Sequence, residues 1–98
     1  EAAQALGREM AADPETAPGT IVERLFRRCL TRPPENDERQ LLVAYYDAQR
    51  ARLASGELDA AEIAGIEKNA ATEETIDQAA WTLVARAILN LDEAITKP

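Results

Sequence analysis

The stretch Ala79–Pro98, AAWTLVARAILNLDEAITKP, decides the fold. Together with Ile76, the residues Ala80, Leu83, Val84, Ala87, Ile88 and Leu91 recur at helical spacing and form a broad apolar arc, while Leu89 falls opposite. A helix apolar on both sides packs on more than one face, so it belongs inside a helical assembly. Trp81 sits at the edge of the arc, where its indole N–H is expected to find a partner. Arg86 lies outside the arc. Asn90 stands where the arc should continue, and a buried amide without partners costs roughly 1–3 kcal/mol. Asn90 is therefore expected to cap the helix or to bridge two chain segments. Asp92 and Glu93 would then lead a last short turn anchored by Leu91 and Ile95. Neighbours in sequence, these two acids diverge on a helix, whereas a glycosidase holds its acids about 5–10 Å apart across a cleft. They read as the end of a packed bundle, not as a reaction centre.

Working outward, the rest of the chain is helical as well. Residues 1–12 are rich in helix formers, with Ala2, Leu6, Glu9 and Met10 as a weak stripe, and Gly7 costs about 1 kcal/mol against alanine. "DPETAPGT" breaks that helix, and Thr20-Ile21-Val22-Glu23 reads as a capping box opening the next. There Ile21, Val22, Leu25, Phe26 and Cys29 share a face, which predicts an inert buried thiol at Cys29. Pro33 and Pro34 stop that helix, with Pro34 placed in the first turn of a third one running to Leu53. Leu41, Leu42, Tyr45, Tyr46 and Leu53 form its apolar side, and the tyrosines are expected to be buried with wet hydroxyls. Gly56 suits a left-handed cap. Asp59-Ala60-Ala61-Glu62 opens a short helix, a loop runs near Asn69 to Thr72, and Thr72 or Thr75 caps the last helix. The expectation is all-α: a single helical domain over 1–98, an irregular bundle of four to five helices.

Composition narrows the function. The chain has 98 residues, a formal net charge of −7, no histidine and one cysteine. Zinc sites, haem attachment through C-x-x-C-H and His-based triads lie outside it, so neither a metal site nor a catalytic set is expected. The acidic balance disfavours nucleic acid, and no apolar run approaches the ~20 residues of a membrane span. The charge is uneven. Arg24, Arg27, Arg28, Arg32 and Arg39 cluster, and the stretch from Glu57 to Asp77 is acidic. The arginines either complement the acids within the fold or offer a patch to an anionic, sulfated polysaccharide. The chain begins at Glu1 without methionine, as if cut from a longer protein.

Two blocks carry a family resemblance. Phe26 to Glu38 reads F-R-R-C-L-T-R-P-P-x-x-x-E, and Ala79 to Glu93 reads A-A-W-T-L-V-A-R-A-I-L-N-L-D-E. Together they resemble the C-terminal domain of unknown function of large exported, cytochrome-c-type multidomain proteins of planctomycetes and related bacteria. The opening EAAQALGREM is similar too, whereas Ala94 replaces an aromatic residue usual after N-x-x-E. The signature positions are Pro33, Pro34, Trp81, Arg86, Asn90, Asp92 and Glu93. The resemblance implies export to the periplasm or cell surface, contact with the remaining domains of a parent polypeptide, and haem only in another domain. The leading expectation is a non-catalytic C-terminal module that stabilises or docks onto its parent. Alternatives are the anionic-polysaccharide module and an enzyme half-site completed by upstream residues.

Overall fold

The structure, a computed structural model, describes residues 2–13, 17–66 and 72–96. Among them are five α-helices and no strand: α1 (Ala2–Ala11), α2 (Pro18–Leu30), α3 (Asn36–Ala54), α4 (Ala60–Ala64) and α5 (Glu73–Thr96). The all-α bundle expected from the sequence is therefore what the chain forms. One core unites the helices: Ala3 and Met10 from α1, Val22, Leu25 and Phe26 from α2, Tyr46 and Leu53 from α3, Ala64 from α4, and Trp81, Val84 and Ile88 from α5. Helix α5 is the hub, touching each of the other four.

Its sequence explains that position. From Thr75 to Ala85 the buried residues lie all around the axis, including Thr75, Ala79, Ala80, Trp81, Thr82, Val84 and Ala85. A helix buried on every side needs small residues wherever a neighbour's backbone comes close. The closest approach is at Gly7 of α1. A Cβ there would stand 2.1 Å from Thr82 Oγ1, 2.8 Å from the Gln78 carbonyl oxygen and 2.9 Å from the Thr82 nitrogen. The Thr82 hydroxyl donates back to the Gln78 carbonyl at 2.8 Å, which satisfies it while leaving room for the bare glycine. Gly7 is thus the contact point of α1, and the buried face is Ala3, Gly7 and Met10; Ala2 is exposed.

The helix ends correct several expectations. Helix α2 starts at Pro18, not Thr20, after Ala17, which has no side-chain cap. Proline at the first helical position lacks only an N–H that would be orphaned anyway, so it captures the start. Helix α3 starts at Asn36, not Pro34. Glu35 is its cap, in a reciprocal box: the Glu35 carboxylate accepts from the Glu38 N–H, and the Glu38 carboxylate accepts from the Glu35 N–H at 2.8 Å. Asp59 caps α4, accepting from the Glu62 N–H at 3.2 Å. Thr72 caps α5, accepting from the Thr75 N–H at 3.2 Å. Gly56 follows α3 with φ +84°. Most of the expected loop near Asn69 lies outside the described residues.

Two further expectations fail. Trp81 is not at an edge but is 1% exposed, and its Nε1 has no hydrogen-bond partner. Asn90 neither caps nor bridges, because α5 runs through it to Thr96 and leaves it exposed. Around this point α5 is only partly covered: Leu89 packs against the core, whereas Asn90 is exposed and Leu91 is 37% exposed. The Asp92 and Glu93 carboxylates and the Ile95 side chain lie outside the described residues.

Two stability measurements follow. Gly7→Ala on an open helix face would stabilise by about 1 kcal/mol through propensity. Here the clash with α5 reverses the sign, and urea denaturation should show a loss of about 1–3 kcal/mol. Thr31 ends α2 with φ +57°, unfavourable for a β-branched residue. Thr31→Gly should raise the urea midpoint, by up to about 1 kcal/mol in stability.

Candidate functional site

Three surfaces carry the side chains of interest. The first is the arginine face. Arg24 meets Asp13 at 2.6 Å, Arg27 meets Glu23 one turn earlier at 3.4 Å, and Arg28 donates to Glu9. That last contact holds the Glu9 carboxyl below the usual carboxylate range. Arg32 grips Glu38 with both terminal nitrogens, at 3.0 Å each, donates to the Pro33 carbonyl at 3.2 Å, and stands 4.9 Å over the Phe26 ring. The guanidinium, helped by the Glu35 N–H, lowers the Glu38 carboxyl as well. Arg32 therefore splints the proline turn between α2 and α3. Arg39 lies apart, beside Gly19, Gln40, Val43, Ala44 and Asp47. The arginines adjacent in sequence are thus spread over separate carboxylate partners, and a polyanion would have to displace those acids to use them.

The second surface is a cleft of about 420 Å³ where four helices converge. Met10 and Ala11 come from the end of α1, Asp13 from just beyond it, Pro18 and Ile21 from the start of α2, Tyr46 and Arg50 from α3, and Glu73, Glu74, Asp77 and Trp81 from α5. Tyr46 and Trp81 stack with centroids 4.0 Å apart and planes 22° from parallel. The Tyr46 hydroxyl donates to Asp77. Arg50 donates to Glu73 at 3.0 Å and lies 3.5 Å from Asp77. Burial first, then the Asp77 hydrogen bond and charge, push the Tyr46 phenol far above its ordinary value of 10.0. Tyr46 is the buried tyrosine with a polar tip; Tyr45 stays half-buried.

The third surface is an apolar groove of about 500 Å³ between α3 and α5. Leu41, Leu42, Ala44, Tyr45, Ala87 and Leu91 line it. Leu41 is 71% exposed there, the most exposed large apolar side chain among the described residues.

Elsewhere, Pro34 and Arg86 are half-buried and Pro33 is exposed. Cys29 is half-buried against the core rather than sealed within it. No group of three metal-ligating side chains occurs among the described residues, and no described helix is long and apolar enough to cross a membrane. Sequence reasoning missed Asp77 and Arg50 as partners of Tyr46. They lie on different helices, and the only local trace was their helical spacing, Tyr46 to Arg50 and Asp77 to Trp81. No family model, curated protein or solved structure matches the chain.

The buried phenol links stability to alkaline pH. Folding favours neutral Tyr46, so its contribution is complete below 10.0 and is lost as pH rises above that value. Thermal unfolding across alkaline pH should show this decline in the wild type. Tyr46→Phe should flatten it while costing about 1 kcal/mol at neutral pH through the lost hydrogen bond.

Proposed function

We propose that the chain is a non-catalytic helical module that docks onto a neighbouring domain of a larger exported bacterial polypeptide and stabilises it. The observation that carries this reading is the apolar groove of Leu41, Leu42, Ala44, Tyr45, Ala87 and Leu91. A valley between two helices takes the apolar stripe of a third, in the helix-in-groove manner. We commit to such a helix, supplied by the adjoining domain, as its occupant. Neighbouring domains of one chain are present at high effective concentration, so a shallow groove suffices where free partners would need a larger contact. The family resemblance in the Phe26–Glu38 and Ala79–Glu93 blocks suggests the setting: export, a multidomain parent, and haem confined to another domain.

The polysaccharide reading has less support. Arg24, Arg27, Arg28 and Arg32 are each engaged by a carboxylate of the chain itself. Exposed pairs contribute only about 0–1 kcal/mol each, so they can open. The net charge of −7 nevertheless opposes a polyanion. The half-site reading lacks a residue set poised for transfer chemistry among the described side chains.

The test is Leu41→Glu combined with Ala44→Glu. Both residues are exposed, so the isolated module should keep its stability within about 0.5 kcal/mol per site. The full-length parent carrying both changes should become more sensitive to limited proteolysis at the junction. Unchanged resistance in the parent would refute the docking reading.

A further inference from the structure

The apolar groove between α3 and α5 runs out onto a charge. Along α3, Asp37, Leu41 and Tyr45 follow one another at four-residue steps, so they stand in one row on successive turns. Leu41 and Tyr45 line the groove. Asp37 continues their row about 6 Å beyond Leu41, at the helical rise of about 1.5 Å per residue. Asp37 and Leu41 are both exposed. No lining side chain is charged, so this carboxylate is the first charge met along the α3 wall.

The surroundings leave its charge available. Asp37 makes no ion pair among the described residues. Arg32 is committed to Glu38 at 3.0 Å. Arg39, two residues further on, falls on the opposite side of α3, where it lines a separate hollow with Gly19 and Asp47. The amino-terminal dipole of α3 offsets Asp37, but only by about half a unit charge. The net charge of −7 adds a negative field that attracts a cationic partner and speeds its arrival.

We propose that the helix docking in this groove is basic. Its apolar stripe packs on Leu41, Tyr45, Ala87 and Leu91, and a lysine or arginine one turn beyond the stripe pairs with Asp37. This rests on the docking reading above and adds to it the charge and the register of the partner. An acidic helix would set like charges together at Asp37. An uncharged one could slide by a turn along an apolar wall, since charges flanking a helical seam are what fix its register and partner.

Two synthetic peptides test this, each of about 20 residues, long enough to hold a helix in water. They share one stripe of leucine and alanine and differ only beside it and one turn beyond it, where one carries lysine and the other glutamate. Each is titrated into the folded chain while the resonances of Leu41, Tyr45 and Leu91 are followed. At low salt the lysine peptide should bind saturably and at least about tenfold more tightly than the glutamate peptide. Added salt should shrink that advantage. Asp37→Asn should weaken the lysine peptide severalfold. Glu74→Gln removes the same charge at the start of α5, outside the groove, and should change it less than about twofold. Both residues are exposed, and helical circular dichroism checks that the variants remain folded. Equal affinity for the two peptides, no saturable shift with either, equal weakening by Asp37→Asn and Glu74→Gln, or undiminished binding of the lysine peptide to Leu41→Glu would each overturn the proposal. If the parent loses protease resistance with Leu41→Glu and Ala44→Glu while the two peptides bind alike, docking stands and the basic partner falls. Unchanged resistance in the parent removes the docking reading itself, whichever peptide binds better.

Discussion

The structure depends on the close crossing of α1 and α5 at Gly7 and Thr82. No side chain fits between the two backbones there, since even a methyl group would lie 2.1 Å from the Thr82 hydroxyl oxygen. Thr82 adapts by bonding its hydroxyl to its own helix at Gln78. Interior packing has little slack, so a constraint at this point propagates along both helices. Ala3 and Met10 are seated against the core at either end of it, and α5 is closed on the side that its larger residues leave open. With that side sealed, Trp81 is drawn into full burial and stacks on Tyr46 of α3. A residue with a polar N–H is thereby committed to the interior without a partner.

The charged residues play a second part, around the turns. Arg32 joins the end of α2 to the cap of α3 through Glu38, and it does so across the rigid Pro33–Pro34 pair. Glu38 serves the arginine and the Glu35 N–H at once. The same economy appears at Asp77, which meets both Tyr46 and Arg50. Charges here fix the relative positions of helices whose apolar faces alone would allow sliding. That role is directional rather than strongly stabilising, since exposed pairs contribute about 0–1 kcal/mol. It also explains why a dense run of arginines need not be a binding patch.

Much of the architecture was legible in local sequence. The apolar arc of the last helix, the glycine after Ser55, the Asp59 cap and a threonine cap at Thr72 or Thr75, of which Thr72 serves, all rest on interactions within a few residues. Helix starts were misplaced where two local signals competed. Thr20 offered a capping box, but Pro18 took the first position. Pro34 offered a first turn, but Glu35 and Glu38 formed the reciprocal cap one residue later. The fate of Asn90 was not legible at all, because it depends on how far the other helices extend alongside α5.

By itself, then, the sequence determined that the chain is helical, roughly where its helices lie, and that it has no histidine for histidine-based chemistry. Those properties follow from spacing, capping and composition, which act over one or two turns. Only the tertiary structure decided that Gly7 is a contact rather than a defect, that Trp81 is buried with an idle donor, that Tyr46, Arg50 and Asp77 meet, and that Leu41 and Leu91 share a groove. Each of these requires two helices distant in sequence to come together. Their relative rotation is set by packing the whole core, and no single stretch of the chain encodes it.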